Sequence, residues 1–201
     1  EKQKVLLGRG IVRTNTAAVL LDEPLTVIDP QQKWELRRKL KQVQDELALT
    51  MIYVTHDQQE ALTFADQVTV MKDGNIEQTG SPDVLYAEPE SPFIGFFIGS
   101  PGMNFLEVTS ENGIAKCAGQ EIPIPGGVGR EATSFTLGIR PEHIEIGSSD
   151  SKGSVSARVS LIEDTGAYKI LTLENDGLRL KARVADSMIV KEGDRVGASF
   201  P

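Results

Sequence analysis

Cysteine is almost absent from this chain. Cys117 stands alone in 201 residues, which excludes an intrachain disulfide and a metal site built from cysteines and fits a reducing compartment. Its simplest role is that of a small, semi-buried residue. Long apolar runs are missing too: none approaches the roughly 20 residues that span a bilayer. The opening Glu1-Lys2-Gln3-Lys4 does not begin a signal peptide. The expectation is therefore a soluble chain with no membrane span of its own, able at most to dock on a membrane protein. An excess of positive charge is the third absence. Lys and Arg number 21 against 29 Asp and Glu, a formal net charge of -8, so nothing supplies the electrostatic footprint of a nucleic-acid partner. Tandem repeats and low-complexity tracts are lacking as well.

What is present is organised around residues 17–30, AAVLLDEPLTVIDP. The apolar run Val19-Leu20-Leu21 ends abruptly in two carboxylates, Asp22 and Glu23, the pattern of a buried parallel strand whose carboxyl end carries chemistry. Taken alone, the pair reads equally well as a solvated strand cap or as a site for a metal ion and an activated water. Asp29 and Pro30 then start a helix, with Asp as N-cap, Pro at the first helical position and Gln32 placed to reach back. Leu36, Leu40, Val43 and Leu47 lay one apolar stripe along it, and Arg37, Arg38, Lys39 and Lys41 form its solvated faces. A second β run, Met51 to Val54, ends in Thr55-His56-Asp57. Two parallel strands joined by a helix make a right-handed βαβ unit, so Asp22-Glu23 and Thr55-His56-Asp57 are expected at the same edge of one sheet. Asp57 with Glu60 reads as a capping box for a helix from Gln58 to Ala65. Upstream, Val5, Leu6, Gly8, Arg9 and Val12 recur at helical spacing within residues 1–13. That helix opens without a cap, which implies that the chain is a piece of something longer.

Further along, Gln67 to Met71 and Asn75 to Thr79 flank Lys72-Asp73-Gly74 and predict a β-hairpin. Short helices are expected from Ser81-Pro82-Asp83 through Tyr86 and from Phe93 to Ile98, the latter ending at Gly99. The texture changes near Gly99-Ser100-Pro101-Gly102. Val155, Ala157, Val159 and Leu161 alternate with polar residues, as do Leu178, Leu180, Ala182 and Val184. Period two with turns such as Glu174-Asn175-Asp176-Gly177 predicts half-buried antiparallel strands in a small barrel or sandwich. Loops are expected at Pro123 to Gly127 and at Gly147 to Asp150. The fold class is thus α/β over residues 1–99, followed by a small all-β domain over residues 100–201.

Asp22-Glu23, Asp29 and His56 lie in one order, and that order and spacing resemble the ATPase subunits of ABC transporters, most closely those of the sugar and glycerol-type importers. VLLDEP is similar to a Walker B segment, LTVID to a D-loop, and VTHDQQEALTFADQVTVMKDGNIEQTGSP to the switch-histidine region. FIGSPGMNF and LGIRPEHIEI resemble the start and an inner segment of that subfamily's accessory β domain, the TOBE domain. The resemblance covers nearly the whole chain. It implies the carboxyl-terminal part of a P-loop NTPase domain joined to an OB-like barrel, with ATP and Mg²⁺ as cofactors. By resemblance, Asp22 sits near Mg²⁺, through water; Glu23 is the general base; His56 contacts the terminal phosphate; and Asp29 links two ATP sites across a subunit interface. The implied partners are transmembrane permease subunits and a second ATPase subunit, identical or related, on the cytoplasmic face of a bacterial membrane. Hydrolysis of a phosphoanhydride needs these groups: a metal to bridge phosphate oxygens, a base to polarise water and a donor to meet developing charge.

The sequence also departs from the family. Thr26-Val27-Ile28-Asp29 replaces the usual Ser-small-Leu-Asp, and LTVIDP with GRGIV leans toward the glycerol-importer branch. No G-x-x-x-x-G-K-[ST] loop occurs, so the backbone cradle and lysine that hold the β- and γ-phosphates are missing. The adenine-stacking aromatic, the glutamine loop and nearly all of the LSGGQ signature are missing too; Glu1 aligns with the last signature position. A truncated chain of this kind is expected to bind Mg-ATP poorly and to be inactive alone. Two rival readings stand beside the ATPase. One is a regulatory module whose β domain binds a partner or solute, with Arg140-Pro141-Glu142-His143 matching a recurring motif there. The other is a stand-alone metal hydrolase using Asp22, Glu23 and His56, which lacks a ligand-spaced partner.

Overall fold

The computed structural model describes residues 17–124, 133–149, 151 and 153–200. The helix expected over residues 1–13, most of the loop at Pro123 to Gly127 and the end of the loop at Asp150 lie outside the described residues. The chain divides into two compact units, Glu1–Glu88 and Pro89–Pro201.

In the first unit, strand β1 (Ala18–Asp22) leads through a turn to helix α1 (Pro30–Leu47), and β2 (Thr50–Val54) returns parallel to β1. The Asp-Pro start holds at the backbone, where Lys33 N donates to Asp29 O at 2.8 Å. Val19, Leu21, Leu25 and Leu40 form a buried cluster with Leu36, Met51 and Tyr53 packed against it, so α1 covers one face of the strand pair. The other face differs from the expectation of a strand buried on both sides. Leu20 is 73% exposed, and Ile52 and Val54 lie open beside it. Parallel strands normally carry cover on both faces, and α1 supplies only one. The apolar stripe of α1 also fades at its end, leaving Leu47 exposed.

Helix α2 (Gln58–Phe64) follows, then the hairpin β3 (Val68–Lys72) and β4 (Asn75–Gly80) and the short helix α3 (Pro82–Ala87). Asp73 and Gly74 take φ of 49° and 81°, the left-handed pair that a tight hairpin turn requires and that Asp-Gly adopts at low cost.

The second unit begins with helix α4 (Pro92–Phe97) and continues as two antiparallel sheets. One runs in the order β7 (Gln120–Ile122), β6 (Ile114–Cys117), β5 (Asn104–Glu111), β8 (Thr133–Ile139). The other runs β12 (Leu178–Ala185), β11 (Tyr168–Asn175), β10 (Ser154–Asp164), β13 (Arg195–Ser199), β9 (Glu145–Gly147). Leu106, Val108, Val155, Val159, Leu171 and Leu173 from both sheets share one buried core. Each such side chain contributes on the order of 1.5 to 3 kcal/mol. Side-chain amides stitch the sheets together. Asn104 Oδ1 accepts from Lys181 N at 2.7 Å while its Nδ2 donates to Lys181 O at 2.9 Å, copying a ladder pair from β5 to β12. Gln120 Oε1 accepts from Ser156 N at 2.9 Å, joining β7 to β10.

Cys117 is buried in this core, and burial pushes its thiol pKa up. Arg140 is buried as well, and its guanidinium donates to the carbonyls of Gly95, at 2.9 Å, and Ile98. It fastens the end of α4 to the sheets, which gives the first residue of the Arg140-Pro141-Glu142-His143 segment a structural role. Gly102 packs so closely on Phe96 that a Cβ there would sit 2.1 Å from the Phe96 carbonyl oxygen.

Candidate functional site

The parallel register pairs Leu21 with Tyr53 and Asp22 with Val54. Glu23 N then donates to Val54 O at 2.8 Å, so the two chains leave the sheet side by side at its carboxyl edge. Glu23 adopts φ 42°, a left-handed conformation that costs an L-residue with a side chain about 1 to 2 kcal/mol. The following Pro24 makes it less favourable still. Such strain concentrates where a side chain must be aimed, and here it accompanies a specific contact. Glu23 Oε1 lies 2.7 Å from His56 Nδ1. The second oxygen, Oε2, accepts from Thr26 Oγ1 at 3.1 Å, and Thr26 Oγ1 also lies 3.2 Å from Glu23 O.

Electrostatics follow from those bonds. The hydrogen bond from His56, then that from Thr26, holds the Glu23 carboxyl below the ordinary carboxylate range despite some desolvation. Reciprocally, the hydrogen bond to Glu23 and its charge raise the His56 imidazole. The carboxylate is thus kept ionised, the form in which it can accept a proton from water. Both side chains remain largely open to solvent.

Behind His56 lies a set of groups that sequence reasoning did not assemble. Glu60, only 3% exposed, receives Lys33 Nζ at 3.1 Å on Oε1 and Tyr53 OH at 2.8 Å and Thr55 Oγ1 at 3.1 Å on Oε2. Burial first, and the bond to Glu60 second, push the Tyr53 phenol strongly up. Asp57 caps α2 by accepting from Gln59 N at 2.9 Å and Glu60 N at 3.3 Å. The reciprocal arm of the expected capping box is not made, because Thr55 Oγ1 takes the Asp57 N–H at 3.0 Å and the Glu60 oxygens are committed inward. The Asp57/Glu60 spacing singled Glu60 out for a cap; only the packing of α1 beside β2 reveals its partners.

Asp22 ends β1 with its side chain exposed. Asp29 sits exposed at the start of α1. The structure therefore brings Glu23 and His56 together, with Asp22 next to Glu23 in sequence and Asp29 at the start of α1. Among the described residues there is no group of three or more His, Cys, Asp or Glu that would hold a metal by itself. Magnesium in phosphate chemistry needs only one or two carboxylates beside phosphates and water, and exposed Asp22 fits that smaller demand. For the phosphates themselves this chain offers no Gly-rich cradle.

Comparisons with known proteins bear on both units. Residues 99–144 match the MalK OB fold domain and residues 137–201 match the TOBE domain. The sn-glycerol-3-phosphate import ATP-binding protein UgpC of Vibrio vulnificus (strain YJ016) is 39% identical over 171 residues, covering 85% of this chain and 46% of that protein. UgpC of Brucella suis biovar 1 (strain 1330) is 40% identical over 206 residues, covering 99% of this chain and 56% of that one. An uncharacterized ABC transporter ATP-binding protein, y4oS, of Sinorhizobium fredii (strain NBRC 101917 / NGR234) is 38% identical over 203 residues, covering 98% and 53%. The chain thus spans about half the length of the curated relatives it matches. With relatives along both units and the two domain matches in its β half, the chain is similar to ABC transporter ATP-binding proteins, and its second unit matches the MalK OB fold and TOBE domains.

Proposed function

We propose that this chain is the carboxyl-terminal part of the ATP-hydrolysing subunit of an ABC importer for sn-glycerol-3-phosphate or a related polyol or sugar. The observation that carries the reading is the 2.7 Å contact between Glu23 and His56 at the carboxyl edge of a parallel strand pair. It occurs in a chain whose relatives are named import ATP-binding proteins. In this reading Glu23 takes the proton of the attacking water at a carboxylate oxygen, and His56 donates to the terminal phosphate as charge develops there. Asp22 would hold Mg²⁺ through water, and the ion would neutralise phosphate charge. Glu23 and His56 occupy each other here, so each trades its contact with the other for its reacting partner. Asp29 serves the interface with a second ATPase subunit. Permease subunits at the cytoplasmic face of the membrane complete the assembly; no helix among the described residues is long and apolar enough to cross a membrane.

The test is His56→Ala in the full-length subunit assembled with its permease. Turnover is expected to fall by about 10²-fold or more, the usual loss of a transition-state donor, with nucleotide binding kept. Turnover at the unsubstituted rate would remove His56 from the reaction.

A further inference from the structure

We propose that Glu60 is the positioning residue of the His56 turn: through Thr55, its buried carboxylate holds the backbone that aims the imidazole at Glu23. Three elements meet on this carboxylate. Lys33 comes from α1, Tyr53 from β2, and Thr55 from the segment that leaves β2. All three donate, so both oxygens of a nearly inaccessible group are hydrogen-bonded, and Lys33 balances the charge. A buried carboxylate is retained at a cost unless it is paired and hydrogen-bonded; here both conditions are met, and the position of the bonds is informative. His56 itself makes no contact with Glu60. Its two chain neighbours do the coupling: Thr55 Oγ1 is fixed by Glu60 Oε2 and in turn accepts Asp57 N at 3.0 Å. Asp57 is fixed a second time by capping α2, the helix on which Glu60 sits. The backbone of His56 is thereby clamped on both sides while its ring stays exposed, which is the arrangement of a side chain held ready rather than packed.

Thr55 carries the bond from the Glu60 carboxylate to the turn; Lys33 Nζ, 4.0 Å from Asp57 Oδ2, and Glu60 N, which donates to Asp57 Oδ1, touch the turn from the other side of His56. The clamp rests on reading Glu23 and His56 as the hydrolytic pair, but its test needs no nucleotide and so succeeds or fails independently of the ATPase reading. Besides Glu23, the charged groups acting on His56 are Asp57 and Glu60, so charge removal at Glu60 alone is ambiguous. Thr55→Val removes the link without changing any charge.

The experiment is an NMR titration of the imidazoles in the 201-residue chain, which has two histidines, His143 in the second unit serving as the internal reference. Thr55→Val and Glu60→Ala are each made alone and with Glu23→Gln. Thr55→Val is expected to lower the His56 midpoint by about half a pH unit when Glu23 is present and to leave it unmoved in the Glu23→Gln background, with His143 constant throughout. Glu60→Ala should show the same dependence on Glu23, over and above a direct charge effect common to both backgrounds. Should Glu60→Ala fail to fold, the Thr55→Val cycle alone decides. No change on Thr55→Val, or an equal change with and without the Glu23 carboxylate, would overturn the assignment.

Discussion

At the scale of single residues, the Glu23–His56 pair gives the first unit a specific pH signature. The folded-state pKa of His56 is raised above 6.5 and that of Glu23 is lowered below 4.5. A raised histidine contributes stability below its unfolded value and loses it as pH rises through the folded value. A depressed carboxylate contributes above its unfolded value and loses it as pH falls through the folded value. The contribution is therefore fullest between about pH 4.5 and 6.5 and declines on either side. Both groups are solvent-exposed, so salt screens it. An imidazole titration should place the His56 midpoint above the ordinary histidine value, and Glu23→Gln should lower it, since Glu23 is the largest cause of the rise; a midpoint unaffected by Glu23→Gln would contradict the contact. In the second unit, Thr172 offers a different test. Its hydroxyl is buried with no hydrogen-bond partner among the described residues, and an unpaired buried hydroxyl costs about 1 to 3 kcal/mol. Thr172→Val is expected to hold or raise the melting temperature in a thermal scan, and a clear fall would mean that the hydroxyl has a partner.

At the scale of elements, most of the organisation was legible because local chemistry and tertiary packing agree. Asp29-Pro30, Asp57 and Asp73-Gly74 each announce a helix start or a turn, and each stands where it was read. Asp57 is a measurable case: Asp57→Ala should destabilise the first unit by about 1 kcal/mol, the usual worth of an N-cap, visible as a lower denaturant midpoint. No change would mean that the cap is redundant. The misses share a physical origin, since none is written in the local pattern. Leu161 continues the alternation of Val155, Ala157 and Val159, yet a register shift between Val159 and Leu161 turns it outward, 45% exposed, while Ile162 moves toward the core. One residue of slip in a period of two reverses every side chain beyond it. Glu60 was legible as a cap partner, but its inward turn depends on Lys33, 27 residues earlier. Thr26 passed for a departure from a family pattern, and its hydroxyl proves to hold Glu23 Oε2. Contacts between elements distant in sequence leave no periodic trace.

At the scale of the whole molecule, the two units show different degrees of closure. The β unit surrounds one core and ties its sheets together through Asn104 and Gln120. The α/β unit presents Leu20, Ile52 and Val54 exposed on one strand face and places Glu23 and His56 at an exposed edge. The chain spans about half of its relatives' length, and its sequence holds no G-x-x-x-x-G-K-[ST] loop. The central claim is that Glu23 is the base of ATP hydrolysis once a cradle is supplied. Its most direct test is Glu23→Gln in the full-length subunit, with ATP binding and single-turnover hydrolysis measured on the same preparation. The account predicts that binding persists while hydrolysis falls by about 10²-fold or more; hydrolysis at the unsubstituted rate would contradict it.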